Sequence, residues 1–125
     1  QLLRIQHLVL DYNGTMACDG NLTEGIPERL ATLSEDLNVH VLTADTFGKA
    51  RNQLNGFNCS LNVLPKENQE KAKDDFIQKL DPQTVIAIGN GRNDRLMLQN
   101  AALSIDGRRI GCGKHAECNH PFKRH

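Results

Sequence analysis

At 125 residues the chain has room for one small α/β-sized domain and not for a second. Its 15 basic and 15 acidic residues cancel, which argues against a nucleic-acid binder, and 38% hydrophobic with 24% charged residues is ordinary for a soluble globular protein. With one Tyr, four Phe and no Trp, the core must be built mainly from Leu, Ile, Val and Ala.

Short apolar runs alternate with amphipathic ones along the chain. The stretch from Ile5 to Leu10 predicts a strand. Asp11 opens a loop in which Met16 to Leu22, with its Asp19-Gly20-Asn21 turn, predicts a small hairpin flap. Ile26, Leu30, Leu33 and Leu37 fall on one face of a helix, with Pro27 in its first turn and Asn38 as its stop. Val39 to Thr43 is a second strand. Thr46 caps a short helix bearing Phe47, Ala50 and Leu54, and Asn55-Gly56 ends it. A third strand is expected near Cys59 to Leu64. A charged helix follows from about Glu67 to Leu80, with Ala72, Phe76, Ile77 and Leu80 inward and Asp81-Pro82 as its break. Thr84 to Ile88 reads as a fourth, continuously apolar strand, as expected where both sheet faces are covered. A last helix is expected from about Asn93 to Ala101.

This order implies a three-layer α/β/α, Rossmann-like domain with a central parallel sheet, no cap domain and at most the hairpin flap. The domain is expected over residues 1–105, and residues 106–125 form a divergent or truncated tail. The sheet edge beside that tail is expected to be incompletely covered, which would invite homo-oligomerisation. The chain begins at Gln1 rather than Met, consistent with removal of an initial residue or a longer end.

Polar residues gather at the carboxyl ends of the expected strands, where parallel sheets collect their chemistry. Asp11 follows the first, Thr43 ends the second, and Gly89-Asn90-Gly91 with Asn93-Asp94 follows the fourth. Asp11 and Asp94 could share a hard divalent cation such as Mg²⁺. Gly14 lets the loop turn its N–H groups toward a phosphate. Thr43 offers a hydroxyl donor, and Lys71 a positive charge for the transferring group. A nucleophile, a metal, a hydroxyl and a cation make a set sufficient for covalent phosphoryl transfer.

Asp11-Tyr12-Asn13-Gly14-Thr15 resembles the D-x-D-G-T loop of the haloacid dehalogenase (HAD) superfamily and the D-K-T-G-T loop of P-type ATPases. Leu42-Thr43-Ala44-Asp45 resembles the second motif, and Gly89-Asn90-Gly91-Arg92-Asn93-Asp94 resembles the G-D-G-x-N-D motif. Together they are similar to the capless, soluble P-type ATPase-like phosphatases over residues 4 to about 105. The resemblance implies an Mg²⁺-dependent phosphatase with Asp11 as nucleophile. It implies Asp11, the Asn13 carbonyl, Asn90 and Asp94 as metal ligands, and Gly14, Thr43, Ala44, Lys71 and Asn93 around the phosphate. Lys71 is the expected third-motif lysine, with Lys66 and Lys73 as competitors.

Two departures matter. Asn13 stands where the phosphatases carry an acid/base Asp, and an amide cannot transfer a proton, so slow turnover is expected. Asn90, in place of an Asp, removes a negative charge near the metal. The alternative is a catalytically weak regulatory or phosphate- or nucleotide-binding module on the same scaffold. The partner is then a small phosphorylated substrate or a phosphorylated macromolecule.

The longest apolar run falls far short of the ~20 residues of a membrane span, and no signal segment opens the chain. Cys18, Cys59, Cys112 and Cys118 show no dense disulfide spacing, so a reducing, cytoplasmic setting is expected. Cys112, His115, Cys118, His120 and His125 could hold zinc, but their spacing matches no regular pair of zinc ligands and they sit at a chain end.

Overall fold

The computed structural model describes residues 4–12, 15–18, 21–44, 48–89 and 91–106. In chain order the elements are β1 (His7–Asp11), β2 (Ala17–Cys18), β3 (Asn21–Leu22), α1 (Ile26–Leu33), β4 (Asn38–Thr43) and α2 (Lys49–Gln53). They continue with β5 (Ser60–Val63), α3 (Gln69–Leu80), β6 (Val85–Gly89), α4 (Arg95–Asn100) and β7 (Leu103–Asp106). Short 3₁₀ turns at Pro82–Thr84 and Arg92–Asp94 lead into β6 and α4.

β1 pairs in parallel with β4 on one side and β6 on the other, and the full order is β5-β4-β1-β6-β7. The chain moves outward through β4 and β5, then crosses to β6 and β7. The reversal of strand order beside β1 is where open α/β sheets leave a crevice at their carboxyl ends. β2 and β3 form the antiparallel flap expected from the turn signal. The Leu22 N–H donates to Gln53 Oε1 at 3.1 Å, tying the flap to α2.

Side chains of β1 alternate between two cores. Leu8 and Leu10 face Leu30 of α1 and Ala50 of α2, together with Val39 and Val41. Val9 faces the other layer with Leu42, Val85, Ala87, Ile77 of α3 and Met97 of α4. Burying each of the larger of these side chains contributes about 1.5–3 kcal/mol, which fixes the strand register.

Three expectations need correction. The first helix ends at Leu33, not at Asn38: the chain turns over residues 34–37, Leu33 is 39% exposed, and Asn38 begins β4. The last helix is shorter than expected, because residues 92–94 form a 3₁₀ turn rather than its first α turn. The sheet has five strands, since Leu103–Asp106 adds β7 in parallel to β6. Leu103 and Ile105 are 46% and 48% exposed, as befits an edge strand whose apolar pattern is weak. The Thr46 cap and the Cys/His-rich segment from Cys112 to His125 lie outside the described residues. Among the described residues no helix is long and apolar enough to cross a membrane.

Candidate active site

Asp11 is the last residue of β1, in register with Leu42 on β4. Strand alternation puts it on the same face as Val9, toward α3. Tyr12 continues the ladder by donating its N–H to the Leu42 carbonyl at 2.9 Å, and its ring is fully buried. The Tyr12 carbonyl then accepts N–H groups from Met16 and Ala17, both at 3.0 Å, which ties the start of the flap to the strand end.

Lys73 reaches Asp11 from α3. Its Nζ donates to Asp11 Oδ1 at 3.1 Å and to Asp94 Oδ1 at 2.7 Å. The side chains of Lys73, Asp94 and Asp11 are 3%, 1% and 15% exposed. Asp94 Oδ2 accepts the Gly91 N–H at 3.0 Å, so both oxygens of this carboxylate are engaged. The close approach depends on Gly89 at the end of β6: a Cβ there would lie 2.5 Å from Asp94 Cβ and Cγ.

Two carboxylates against one ammonium leave this buried cluster with excess negative charge. Burial and the Asp94 charge raise the Asp11 pKa to about 6, with Lys73 pulling the other way. Such a site suits a small, hard cation on Asp11, the more accessible carboxylate. Asp94 holds Lys73 through Oδ1 and the Gly91 N–H through Oδ2.

Lys71, the lysine chosen from the sequence, does not join this cluster. It pairs with Asp75 at 2.9 Å in an i,i+4 bridge, with its side chain 73% exposed. Two residues along a helix turn the side chain through about 200°, so Lys71 and Lys73 cannot serve one site. Lys73 shares the inward stripe with Phe76, Ile77 and Leu80, and a lysine in that apolar phase was the overlooked signal.

The remaining expected residues divide. Thr43 is buried at the end of β4, one residue beyond the register partner of Asp11, and Ala44 follows it half-buried. Asn93 is exposed on the 3₁₀ turn before Asp94. Asn13, Gly14 and Asn90 lie outside the described residues. Thr15 was not singled out as a site residue, yet its Oγ1 is buried just past Asp11 with no hydrogen-bond partner among the described residues.

No protein-family model matches the chain. An uncharacterised protein of Methanocaldococcus jannaschii is 49% identical over 39 residues, which are 31% of this chain and 89% of that protein. Among solved structures, the cobalt-bound deoxy-D-mannose-octulosonate 8-phosphate phosphatase of Haemophilus influenzae superposes with a TM-score of 0.65 at 16% identity, covering 81% of this chain and 67% of that one. The 3-deoxy-D-manno-octulosonate 8-phosphate phosphatase of Yersinia pestis gives 0.58 at 16% identity, covering 83% and 64%. A structure assigned to the HAD family of hydrolases, from Streptomyces avermitilis, gives 0.64 at 16% identity, covering 82% and 66%. The chain thus spans about two thirds of the length of the solved structures it matches.

Proposed function

We propose, for a chain that has the fold of the HAD hydrolases and belongs to one family with the Methanocaldococcus protein, that it is a phosphomonoester hydrolase with Asp11 as its nucleophile. The observation that carries this reading is the buried Asp11–Lys73–Asp94 cluster at the carboxyl edge of the sheet. Nothing in the packing of the sheet requires two carboxylates and an ammonium there, and perturbed buried charges of this kind concentrate at functional sites.

In the proposed reaction an Asp11 carboxylate oxygen attacks phosphorus. The ester P–O bond breaks, the alcohol leaves and takes a proton from water, and an aspartyl-phosphate remains. Water then attacks phosphorus, releasing inorganic phosphate and restoring the carboxylate. Lys73 keeps Asp11 ionised and aimed, and offsets charge on the phosphoryl oxygens. Asp94 positions Lys73. The buried Thr15 and Thr43 hydroxyls, the Gly14 backbone, Ala44 and Asn93 are the proposed surroundings of the phosphate. Mg²⁺, when bound, supplies the positive charge that lets the dianionic ester approach Asp11. Its proposed oxygen donors are the Asp11 carboxylate, the Asn13 carbonyl and the Asn90 side chain. Asp94 completes the proposed set, since each of its carboxylate oxygens has a second lone pair beside the bond to Lys73 or to the Gly91 N–H.

Asn13 leaves both proton transfers to water, so turnover is slow. Hydrolysis of p-nitrophenyl phosphate in the presence of Mg²⁺, abolished by Asp11→Asn, is the expected result. Absence of hydrolysis by the unaltered protein at high enzyme concentration would sink the proposal. Asn13→Asp should accelerate turnover by roughly 10²-fold, within the usual range for a positioned general acid/base.

A further inference from the structure

Asn55-Gly56 follows α2, and the proposed hydrolysis makes no use of it. An Asn-Gly pair carries a latent reaction of its own. The main-chain nitrogen after an asparagine can attack the side-chain amide carbon, and glycine, having no Cβ, hinders that approach least. The chain holds three such pairs: Asn13-Gly14, Asn55-Gly56 and Asn90-Gly91.

Local structure distinguishes the second pair from the third. Asn55 and Gly56 are both exposed, in a turn between the buried Leu54 and Phe57. Gly56 has a φ of 88° or more in the left-handed region, at 94°, and a Cβ placed there would meet no atom within 4 Å. One hydrogen bond spans the turn, from the Phe57 N–H to the Leu54 carbonyl at 3.0 Å. The reacting groups take no part in it. Among the described residues the Gly56 N–H donates to no acceptor, and the Asn55 side chain makes no hydrogen bond. Gly91 differs: its N–H donates to Asp94 Oδ2 at 3.0 Å. That bond holds the attacking nitrogen, and the neighbouring carboxylate opposes loss of its proton.

We infer that Asn55 is a site of spontaneous deamidation, with water as the reactant, and that the hydrogen bond at Gly91 slows the same reaction there. The Gly56 nitrogen gives its proton to solvent base and bonds to Asn55 Cγ. The Cγ–Nδ2 bond breaks, and Nδ2 takes up a proton and leaves as ammonia. Water then opens the cyclic imide at either carbonyl, which yields aspartate or isoaspartate. Isoaspartate routes the main chain through Cβ, lengthening it between Leu54 and Phe57, which pack on the same core. The inference is independent of the phosphatase reading.

The test is to age the folded protein at mildly alkaline pH and map it by tryptic peptides and fragment-ion mass spectrometry. The peptide between Arg51 and Lys66 also contains Asn52, Asn58 and Asn62 as internal controls. The mass gain of amide-to-acid exchange should appear at Asn55 and not at those three. It should accumulate at least about tenfold faster than at Asn90, because Gly91 must first give up a bond to a charged group. In urea, where that bond is absent, the two rates should converge. Labelling by an isoaspartyl methyltransferase should fall on Asn55, and Asn55→Gln should remove it from that peptide. Overturning results are an unmodified Asn55, a folded-state rate at Asn90 equal to or above that at Asn55, or aspartate at position 55 without isoaspartate.

Discussion

Strand β1 carries a polar side chain at each end of one face, and the two ends meet the cost of burial differently. At the amino end, His7 Nδ1 lies 3.0 Å from His40 Nε2, and His40 Nδ1 lies 3.1 Å from Ser60 Oγ. The Phe76 ring packs edge-on at 5.5 Å. Burial, and then the proximity of His7, push the His40 pKa down, which favours the neutral His40 ring in this network. At the carboxyl end, Asp11 and Asp94 crowd one lysine and excess negative charge is retained. Removing the ionic cluster for apolar groups would often stabilise a domain. The amino end is thus a packing solution, whereas the carboxyl end maintains a charge imbalance that the proposed chemistry uses.

Substitutions at both ends can break or sharpen this contrast. The largest effect is expected from Lys73→Met, which leaves two carboxylates buried together. It should cost about 3–5 kcal/mol in chemical denaturation and abolish hydrolysis, while Lys71→Met should change stability by less than about 1 kcal/mol. Similar losses for the two lysines would remove the distinction drawn between the faces of α3.

Asp11→Asn is expected to act in the opposite direction on stability. The folded-state pKa of about 6 lies above the ordinary 3.8, so the protonated form is favoured by folding. That contribution is fully present below about pH 4 and is lost as pH rises through 6. At pH 7 the substitution should therefore stabilise the protein, by at most about 2–3 kcal/mol, and flatten the stability profile between pH 4 and 6. Thermal melts across that interval read the change directly.

Gly89→Ala tests the support beneath the cluster. Its Cβ would overlap Asp94, so a cost of about 1–3 kcal/mol and a loss of activity of roughly tenfold or more are expected. His40→Gln, at the other end of the sheet, should have the smallest effect. A depressed folded-state pKa means stability is present above the ordinary 6.5 and falls as pH drops through the folded value. The variant should melt close to the unaltered protein at pH 8 and lose less stability on acidification. A loss of phosphatase activity there would contradict the reading of this end as packing.

Much of this was legible in the sequence because local signals and global topology agreed. The apolar runs at β1, β4 and β6 are bounded by turn residues, and the Asp19-Gly20 turn announced the flap. Asp11 and Asp94 could be placed at one sheet edge because parallel strands carry their carboxyl ends together. Helix ends were less legible. Leu37 keeps the apolar phase of α1, yet it packs from the turn that follows the helix. β7 was missed because Leu103-Ser104-Ile105 is too short and too exposed to carry a strand pattern alone; its pairing with β6 defines it. Lys73 stood only as a competitor because the resemblance ranks the lysines by their distance upstream of Asn90, not by their phase on the helix. Its spacing with Ile77 places it inward, and only the long-range approach of Asp11 and Asp94 makes that burial tolerable.

The most direct measurement is to find the phosphoryl group on Asp11. Protein incubated with acetyl phosphate and Mg²⁺, quenched in acid, reduced with borohydride and analysed by peptide mass spectrometry should show homoserine in place of Asp11. Slow turnover should let that modification accumulate, and Asn13→Asp should diminish it. An unmodified Asp11 in protein that still turns over substrate, or modification at another residue, would contradict the account.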